Sequence, residues 1–218
     1  MGAVKDACLI VGAGEIFPDI LSRCGDLSSC LIIAADGGYL RCGELSLTPD
    51  LILGDFDSAP KPATTAETQV FSSHKDDTDC MLAAKEGLRR GCRRFTLIGC
   101  TGGRLDHTIA NIQTLLYLVN HGAEARMADR RHLITVINGS ACPARVEAAG
   151  DYLSIFALST RCTGVTLRGC AYPLTDAVVE NSFPIGVSNH IAGDHCEIEL
   201  KTGTLLVMTV SEEAHDHE

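Results

Sequence analysis

The sequence lacks three features that would each place a protein in a particular class. No apolar run approaches the ~18 residues that a membrane-spanning helix needs, and the apolar stretch at residues 8–11 is too short for a signal peptide. No two cysteines are spaced as Cys-x-x-C, so neither a zinc site nor a dithiol redox centre is indicated. The formal net charge is −10, with only 18 lysines and arginines, which argues against a nucleic-acid-binding surface. We therefore expect a cytoplasmic protein without membrane or nucleic-acid partners, whose 11 cysteines are small apolar side chains in a reducing compartment.

The first part of the chain alternates short apolar runs with helical patterns. The start of the segment at residues 78–90 carries Asp77, Thr78 and Asp79, which suit a helix N-terminus by capping and by charge, and Gly91 after it suits a helix end. Residues 104–120 have a clearer helical period, with an apolar stripe that we expect to face the core and a separate polar face. The stripe contains Leu105, Ile109, Ile112, Leu116 and Val119, and the polar face contains Arg104, His107, Thr108 and Asn111. The apolar runs typical of buried parallel strands lie at residues 7–12, 30–36, 51–57, 69–71 and 93–99.

The character of the sequence changes near residue 138. Beyond it, short strand-like runs are separated by turns, and polar and apolar residues alternate at residues 195–200. The first part therefore predicts an α/β domain with a mainly parallel sheet at residues 1–138. The second part predicts an all-β, sandwich-like domain at residues 139–218.

The first candidate site follows the apolar residues 51–53. Gly54 leads into Asp55 and Asp57, and ligands of open α/β sheets bind at the carboxyl ends of the strands. Two acids spaced by one residue can both reach a cation there, and Mg²⁺ prefers carboxylate oxygens together with substrate phosphates. The alternative is an ordinary turn of small polar residues.

The second candidate is the acidic start of the helix predicted at residues 78–90. Asp76, Asp77 and Asp79 are more acids than a helix cap needs, and they would repel one another without a cation. An ordinary acidic helix start is the alternative, since acids are favoured there. Beside the first motif, a shared Mg²⁺ site is the better account of both.

The third candidate, at residues 99–107, runs from a predicted strand end through a glycine turn into a helix. Such a turn exposes backbone N–H groups at the positive end of the helix, which suits phosphate. Arg104 can add bidentate hydrogen bonds to phosphate oxygens, and Asp106 lies near the same helix end. The alternative is a plain strand-to-helix turn with surface charges.

Two further strand ends carry glycines or an acid. Gly12 and Gly14 resemble the opening of a dinucleotide-binding fingerprint, but Phe17 replaces its third glycine, so this signal is weak. Asp36, before Gly37, places an acid at another strand end, with a plain turn as the alternative. Four strand ends thus predict a nucleotide and Mg²⁺ site at one edge of the sheet, without identifying the acceptor.

Taken together, these residues resemble the thiamine pyrophosphokinase family. The matching segments have the order and spacing of that family over nearly the whole chain. They are residues 36–38, 49–58, 75–80, 102–107 continuing to Asn111, and 188–189.

The resemblance implies an enzyme, an ATP:thiamine diphosphotransferase that converts ATP and thiamine into AMP and thiamine diphosphate. It implies an ATP- and Mg²⁺-binding catalytic domain, a thiamine-binding β-sandwich domain, and a homodimer with active sites where the subunits meet. Asp55, Asp57 and Asp79 are implied as Mg²⁺ ligands and, with Asp106, as catalytic acids. ATP binding is implied for Asp36, Gly37, Lys75, Asp77, Thr101, Gly102, Gly103, Arg104 and His107, and thiamine binding for Ser188 and Asn189.

The acceptor site departs from the family pattern in two ways. His190 stands where an acid often follows the Ser-Asn pair, and the chain has no tryptophan, so aromatic packing on thiamine must come from Phe or Tyr, with Phe183 as a candidate. Two other functions use the same acids or the same fold. One is a Mg²⁺-dependent nucleotide pyrophosphohydrolase with water as acceptor, and the other is a non-catalytic nucleotide sensor, against which the crowded aspartates argue.

Overall fold

The computed structural model describes residues 5–54, 66–70, 77–139, 143–148 and 150–212. The chain forms two compact units that divide between Arg130 and Arg131. In the described part of the chain, none of the helices combines the length and apolar character that crossing a bilayer needs. The predicted domain limits, 1–138 and 139–218, stay predictions together with the ligand assigned to each domain.

The first unit is built on a parallel sheet with strand order β4-β3-β2-β1-β5-β6. Strands β1 to β3 are almost wholly buried apolar runs, as expected where helices cover both faces of a parallel sheet. The strands are β1 (Ala7–Val11), β2 (Cys30–Ala35), β3 (Leu51–Gly54), β4 (Glu67–Val70), β5 (Arg94–Ile98) and β6 (Glu124–Ala128). The helices are α1 (Gly38–Glu44), α2 (Asp79–Arg89) and α3 (Leu105–Asn120), with a 3₁₀ helix at Pro18–Arg23.

Helix α2 begins where the sequence predicted. The side chain of Thr78 accepts a hydrogen bond from Met81 N at 3.2 Å, which satisfies one of the free N–H groups of the first turn. Its buried face consists of Ala83, Ala84 and Gly87. A Cβ at Gly87 would lie 2.6 Å from the ring of Phe95, so glycine lets α2 approach β5 closely.

Helix α3 has the predicted span, but the prediction of its buried face was wrong. Leu105 and Ile109 of the apolar stripe are 72% and 51% exposed, whereas Asn111, assigned to the polar face, is 7% exposed. The buried face also contains Thr114, and each of these polar side chains has a partner, which makes its burial possible. The hydrophobic periodicity alone therefore predicts the wrong buried face for this helix.

The second unit is entirely antiparallel in the pairings of its described strands. Three of its strands pair in the order β7-β13-β9, and four others form a sheet with the order β11-β10-β12-β8. Apolar side chains of β9 and β13 share one core with those of β10, β11 and β12, which is the packing of a sandwich. The strands are β7 (His132–Asn138), β8 (Ala144–Glu147), β9 (Tyr152–Ala157), β10 (Arg161–Arg168), β11 (Leu174–Glu180), β12 (His195–Glu199) and β13 (Thr204–Val210). The predicted fold class, a parallel α/β part followed by an antiparallel β part, is confirmed.

Candidate functional site

The strand order of the first unit reverses between β1 and β5. At such a switch point the loops leave the sheet in opposite directions, and the crevice at the carboxyl ends of the strands is where ligands bind. Four of the sequence candidates follow β1, β2, β3 and β5, which are direct neighbours in the order β3-β2-β1-β5. The fold therefore brings the beginnings of these four loops to one edge.

The loops after β1 and β5 contact each other through glycines. Gly12 N donates to Ile98 O and Gly14 N donates to Gly99 O, both at 2.8 Å. A Cβ at Gly12 or Gly14 would lie 2.5 or 2.6 Å from Gly99 O, closer than real Cβ contacts. Contact between the two loops thus explains both glycines without a dinucleotide fingerprint.

Asp36 lies at the end of β2 in a strained conformation beside the end of β3. Its φ of 46° is in the left-handed region, and its N–H donates to Leu53 O at 2.6 Å. Its Oδ1 is buried and, among the described residues, has no hydrogen-bond partner. A Cβ at Gly54 would be 3.1 Å from Asp36 Cα, so the carboxylate lies next to the point where the chain enters Asp55. A buried carboxylate oxygen without a partner fits a hard divalent cation.

Three predicted site residues, Asp55, Asp57 and Lys75, lie outside the described residues. Their proposed roles stay predictions. Within the described ranges, no group of three histidines, cysteines or acids is arranged to hold a metal ion.

The two described acids at the start of α2, Asp77 and Asp79, have different surroundings. Asp77 accepts from Lys85 Nζ at 2.7 and 2.8 Å, so its charge is compensated by a lysine two turns along the helix. Asp79 is the first residue of α2, where the positive end of the helix favours a carboxylate or a phosphate. Both acids therefore lie at the start of α2, with Asp79 inside its first turn.

The glycine turn before α3 has an open surface. Gly102 and Gly103 have φ values of 76° and 59°, and a Cβ at either position would meet no atom of the described residues within 4 Å. Both glycines are therefore required by the left-handed backbone, not by close packing. Gly37, another predicted ATP contact, is the residue before α1.

Arg104 and Asp106 form an exposed ion pair at the start of α3. Arg104 Nη2 lies 2.6 Å from Asp106 Oδ2, and His107 N donates to Asp106 Oδ1 at 3.0 Å. The Arg104 guanidinium lowers the pKa of Asp106, which makes that carboxylate a weaker base. A phosphate approaching the glycine turn would compete with Asp106 for Arg104.

Two side chains support the loop after β5 from within the unit. Thr101 Oγ1 donates to Asp129 Oδ2 at 2.7 Å, and Asn111 Nδ2 donates to Cys100 O at 2.8 Å. Asp129 follows β6 and was not among the predicted site residues. The five-residue strand β6 contains Glu124 and Arg126 and gives only a weak sequence signal.

The start of α2 contacts the same loop through two thiols. The sulfur atoms of Cys80 and Cys100 are 3.7 Å apart. The hydrogen bond with Cys80 and burial raise the pKa of the Cys100 thiol well above its ordinary value. Cys80 directly follows Asp79 and Cys100 directly precedes Thr101, so this contact brings two predicted site segments together.

In the second unit, the predicted thiamine-binding residue Asn189 has a structural role. It is 2% exposed, and its Oδ1 accepts from Tyr172 N and His190 N, both at 2.9 Å. Its Nδ2 donates to Tyr172 O at 2.7 Å. Asn189 therefore holds the backbone of Tyr172, whose own side chain is 67% exposed.

Ser188 presents an exposed side chain in strained backbone beside Asn189. Its φ is 56°, and its N–H donates to Ser154 Oγ at 3.1 Å. Strain of this kind is concentrated at functional sites. His190 Nδ1 lies 2.8 Å from Asp151 O, and Phe183 is 66% exposed.

These features define a class of protein before any relative is considered. A parallel α/β unit with a glycine turn, a buried carboxylate and helix N-termini at its switch point is typical of an enzyme that handles nucleotide phosphates.

The chain belongs to the thiamin pyrophosphokinase family. Residues 27–127 match "Thiamin pyrophosphokinase, catalytic domain", and residues 141–205 match "Thiamin pyrophosphokinase, vitamin B1 binding domain". A thiamine pyrophosphokinase from Bacillus subtilis is 24% identical over 203 residues, which cover 90% of this chain and 94% of that protein.

Solved structures agree with this assignment. The crystal structure of thiamine pyrophosphokinase from Bacillus subtilis has a TM-score of 0.84 at 24% identity, covering 95% of this chain and 100% of its own. A thiamin pyrophosphokinase family protein from Enterococcus faecalis has a TM-score of 0.79 at 27% identity, covering 95% and 100%. The resemblance found in the sequence is thereby confirmed, as are the fold class and the enzyme class.

Proposed function

We propose that this chain transfers the pyrophosphoryl group of ATP to the hydroxyl of thiamine, giving AMP and thiamine diphosphate. The observation that carries the proposal is the ordered pair of family matches, a catalytic domain followed by a vitamin B1 binding domain, on a single chain. The chain is accordingly a transferase of the kinase type that uses ATP and acts in thiamine metabolism.

The proposed cation site consists of carboxylates from separate strand and helix ends. Asp55, Asp57 and Asp79 are the proposed Mg²⁺ ligands. The buried Oδ1 of Asp36, which has no partner in the part of the chain that the structure describes, supports a cation beside Gly54. When bound, Mg²⁺ would neutralise charge on the phosphate oxygens and help to align the reacting groups.

The proposed phosphate site is the glycine turn before α3. The open surface over Gly102 and Gly103, the N-terminus of α3 and the exposed guanidinium of Arg104 support binding of an anion there. Thr101 supports the turn from inside through Asp129. The remaining proposed ATP contacts are Asp36, Gly37, Lys75, Asp77 and His107.

In the transfer step, the hydroxyl oxygen of thiamine attacks the β-phosphorus of ATP. The bond between that phosphorus and the oxygen bridging to the α-phosphate breaks, and AMP leaves with the bridging oxygen. The hydroxyl proton passes to one of the proposed catalytic acids, Asp55, Asp57, Asp79 or Asp106. Such transfer depends mainly on positioning and on electrostatic stabilisation of the phosphates.

The proposed thiamine surface is centred on Ser188. Its exposed side chain is the direct contact, while Asn189 acts by holding the surrounding backbone. Tyr172 joins Phe183 as a candidate aromatic partner, because Asn189 fixes its backbone and leaves its ring exposed. An aromatic face suits the positively charged ring of thiamine.

Assembly and location are proposed on family likeness. We propose a cytoplasmic homodimer with active sites where the subunits meet. The exposed Leu105 and Ile109 of α3 lie beside Arg104 and Asp106, and an apolar surface at a site is one that a second subunit can cover.

The function is tested by incubating the protein with Mg²⁺-ATP, with and without thiamine, and quantifying AMP and thiamine diphosphate by chromatography. We expect the two products in equal amounts and almost no AMP without thiamine. Equal AMP release without thiamine would establish the pyrophosphohydrolase instead, and ATP binding without turnover would establish the sensor.

A pair of variants separates the acidic site from general effects of charge. Asp57→Asn should abolish turnover. Asp26→Asn is the matched control, because Asp26 is exposed, precedes β2 at the opposite end of the strand and accepts hydrogen bonds from the neighbouring Ser28. Full activity in Asp57→Asn would remove that residue from the proposed cation site.

A further inference from the structure

The thiol pair Cys80 and Cys100 lies between the two segments to which the proposed function assigns the phosphates and the cation. The sulfur atoms are 3.7 Å apart, although the residues are 20 positions apart in sequence. Cys80 is in the first turn of α2 and is partly exposed, whereas Cys100 is 4% exposed in the loop after β5. Cys80 is therefore the thiol of the pair that an oxidant can reach, and the sulfur of Cys100 lies next to it.

We propose that Cys80 and Cys100 form a reversible oxidation site, and that a disulfide between them inactivates the enzyme. This inference rests on the proposed function, because it requires Asp79 and Thr101 to act on ATP. The two cysteines are directly bonded to these residues along the chain. Whatever moves the sulfurs therefore also moves the neighbouring site residues.

The oxidation needs a two-electron oxidant, for which hydrogen peroxide is the simplest. The sulfur of Cys80 attacks one peroxide oxygen, the O–O bond breaks, and a sulfenic acid and water form. The sulfur of Cys100 then displaces water from the sulfenic acid to give the disulfide. Overall, two thiols and one peroxide give one disulfide and two waters, and a dithiol such as dithiothreitol restores both thiols by exchange.

The geometric consequence is a shift of both segments. A disulfide requires the sulfurs about 2.05 Å apart, so they must approach by more than about 1.5 Å from their separation in the thiol form. Displacement of reacting groups by about 1 Å can lower a rate by a factor on the order of 100. We expect the disulfide form to lose at least about 90% of its activity, with recovery on reduction.

A second thiol pair provides an internal control. Cys170 and Cys196 of the second unit also have sulfurs 3.7 Å apart, but both are buried, at 8% and 0% exposure. The separation of the sulfurs is the same, but the exposure and the location differ. Cys170→Ala is therefore the matched control for Cys80→Ala.

The test treats the full chain and each variant with hydrogen peroxide, then with dithiothreitol. Disulfides are mapped by mass spectrometry of peptides, and thiamine diphosphate formation is assayed in parallel. We expect a Cys80–Cys100 linked peptide whose yield follows the loss of activity, the same response in Cys170→Ala, and no reversible loss in Cys80→Ala. Each variant is compared with its own reduced form, so a change in basal activity does not confuse the result.

The inference is overturned if no Cys80–Cys100 peptide forms, if it forms without loss of activity, or if Cys80→Ala loses activity reversibly like the unaltered chain. Failure of the proposed function would look different. In that case the fully reduced protein would make no thiamine diphosphate, while the peptide map would still report whether the two sulfurs join.

Discussion

The hydroxyl of Thr101 donates a 2.7 Å hydrogen bond to the carboxylate of Asp129, which joins the loop after β5 to the end of β6. The bond fixes the side chain of a proposed ATP contact from the interior of the unit. We therefore expect Asp129 to act on the proposed site through Thr101, as a positioning residue.

Replacing Asp129 by Ala should lower kcat/KM for ATP by about tenfold or more, because the loop loses its support and small displacements are costly in phosphoryl transfer. Asp129→Asn keeps an oxygen acceptor for the Thr101 hydroxyl and should lose less. KM for thiamine should change little in either variant. A loss of thermal stability with unchanged ATP kinetics would show that Asp129 only supports the fold.

Replacing Asp36 by Asn should have opposite effects on stability and on function. Its buried Oδ1 has no hydrogen-bond partner among the described residues, and such a group costs on the order of 1–3 kcal/mol. Asp36→Asn removes the charge, and asparagine tolerates the left-handed φ of 46°. We expect the metal-free variant to melt a few degrees higher than the unaltered chain, while stabilisation by Mg²⁺-ATP is reduced.

The matched control is Asp50→Asn in the same unit. The Asp50 carboxylate accepts from Lys5 Nζ and Ile32 N, all at 2.8 Å, so it already has its partners. This variant should melt lower and keep its response to Mg²⁺-ATP. If Asp36→Asn also melts lower, the unpartnered oxygen is not the source of strain that we infer.

Variants of Asn189 and Ser188 should distinguish an effect on stability from an effect on thiamine binding. Asn189→Ala removes the hydrogen bonds that a buried side chain makes to Tyr172 N and Tyr172 O, which should lower the free energy of unfolding by about 1–3 kcal/mol and raise KM for thiamine. Ser188→Ala keeps the same strained backbone and should raise KM for thiamine with little change in stability. Denaturant unfolding and initial rates with varied thiamine measure the two effects. Unchanged thiamine kinetics in Ser188→Ala would exclude it as a contact.

The interactions of Glu86 with Arg89 and Arg90 should make a pH-dependent contribution to stability. Hydrogen bonds from Arg89, and then from Arg90, lower its pKa from about 4.5 to about 2. Because the folded-state pKa is depressed, the stabilisation is present above pH ~4.5 and is lost as the pH falls toward 2. Glu86→Gln should lower the free energy of unfolding by about 1–2 kcal/mol at pH 7, since solvent around Arg89 screens the pair. The difference between the two proteins should shrink on acidification, and a constant difference would contradict this account.

Buried strands were the part of the fold that the sequence predicted best. Strands β1, β2 and β3 lie in the middle of a covered sheet, so their sequences are continuous apolar runs. The start of α2 was also predictable, because its cap depends on the local chemistry of Thr78. Such features need only neighbouring residues.

Features that depend on distant contacts were not predictable. Helix α3 buries Asn111 in place of Ile109, because Asn111 finds a partner in Cys100 O, which belongs to another element. Asp129 follows the short strand β6, which contains Glu124 and Arg126. The sequence pattern therefore predicted neither this strand nor a role for the acid after it. The structural role of Asn189 depends on Tyr172, 17 residues earlier in the chain.

The central claim is that carboxylates from separate strand and helix ends hold a divalent ion against the phosphates of ATP. The most direct measurement is a crystal structure of the protein with Mg²⁺, α,β-methylene-ATP and thiamine. We predict oxygens of Asp55, Asp57 and Asp79 bound to Mg²⁺ at about 2.0–2.1 Å or through one of its waters, with the phosphates over Gly102 and Gly103. Mg²⁺ bound to the analogue while these carboxylates point away from it would contradict the account.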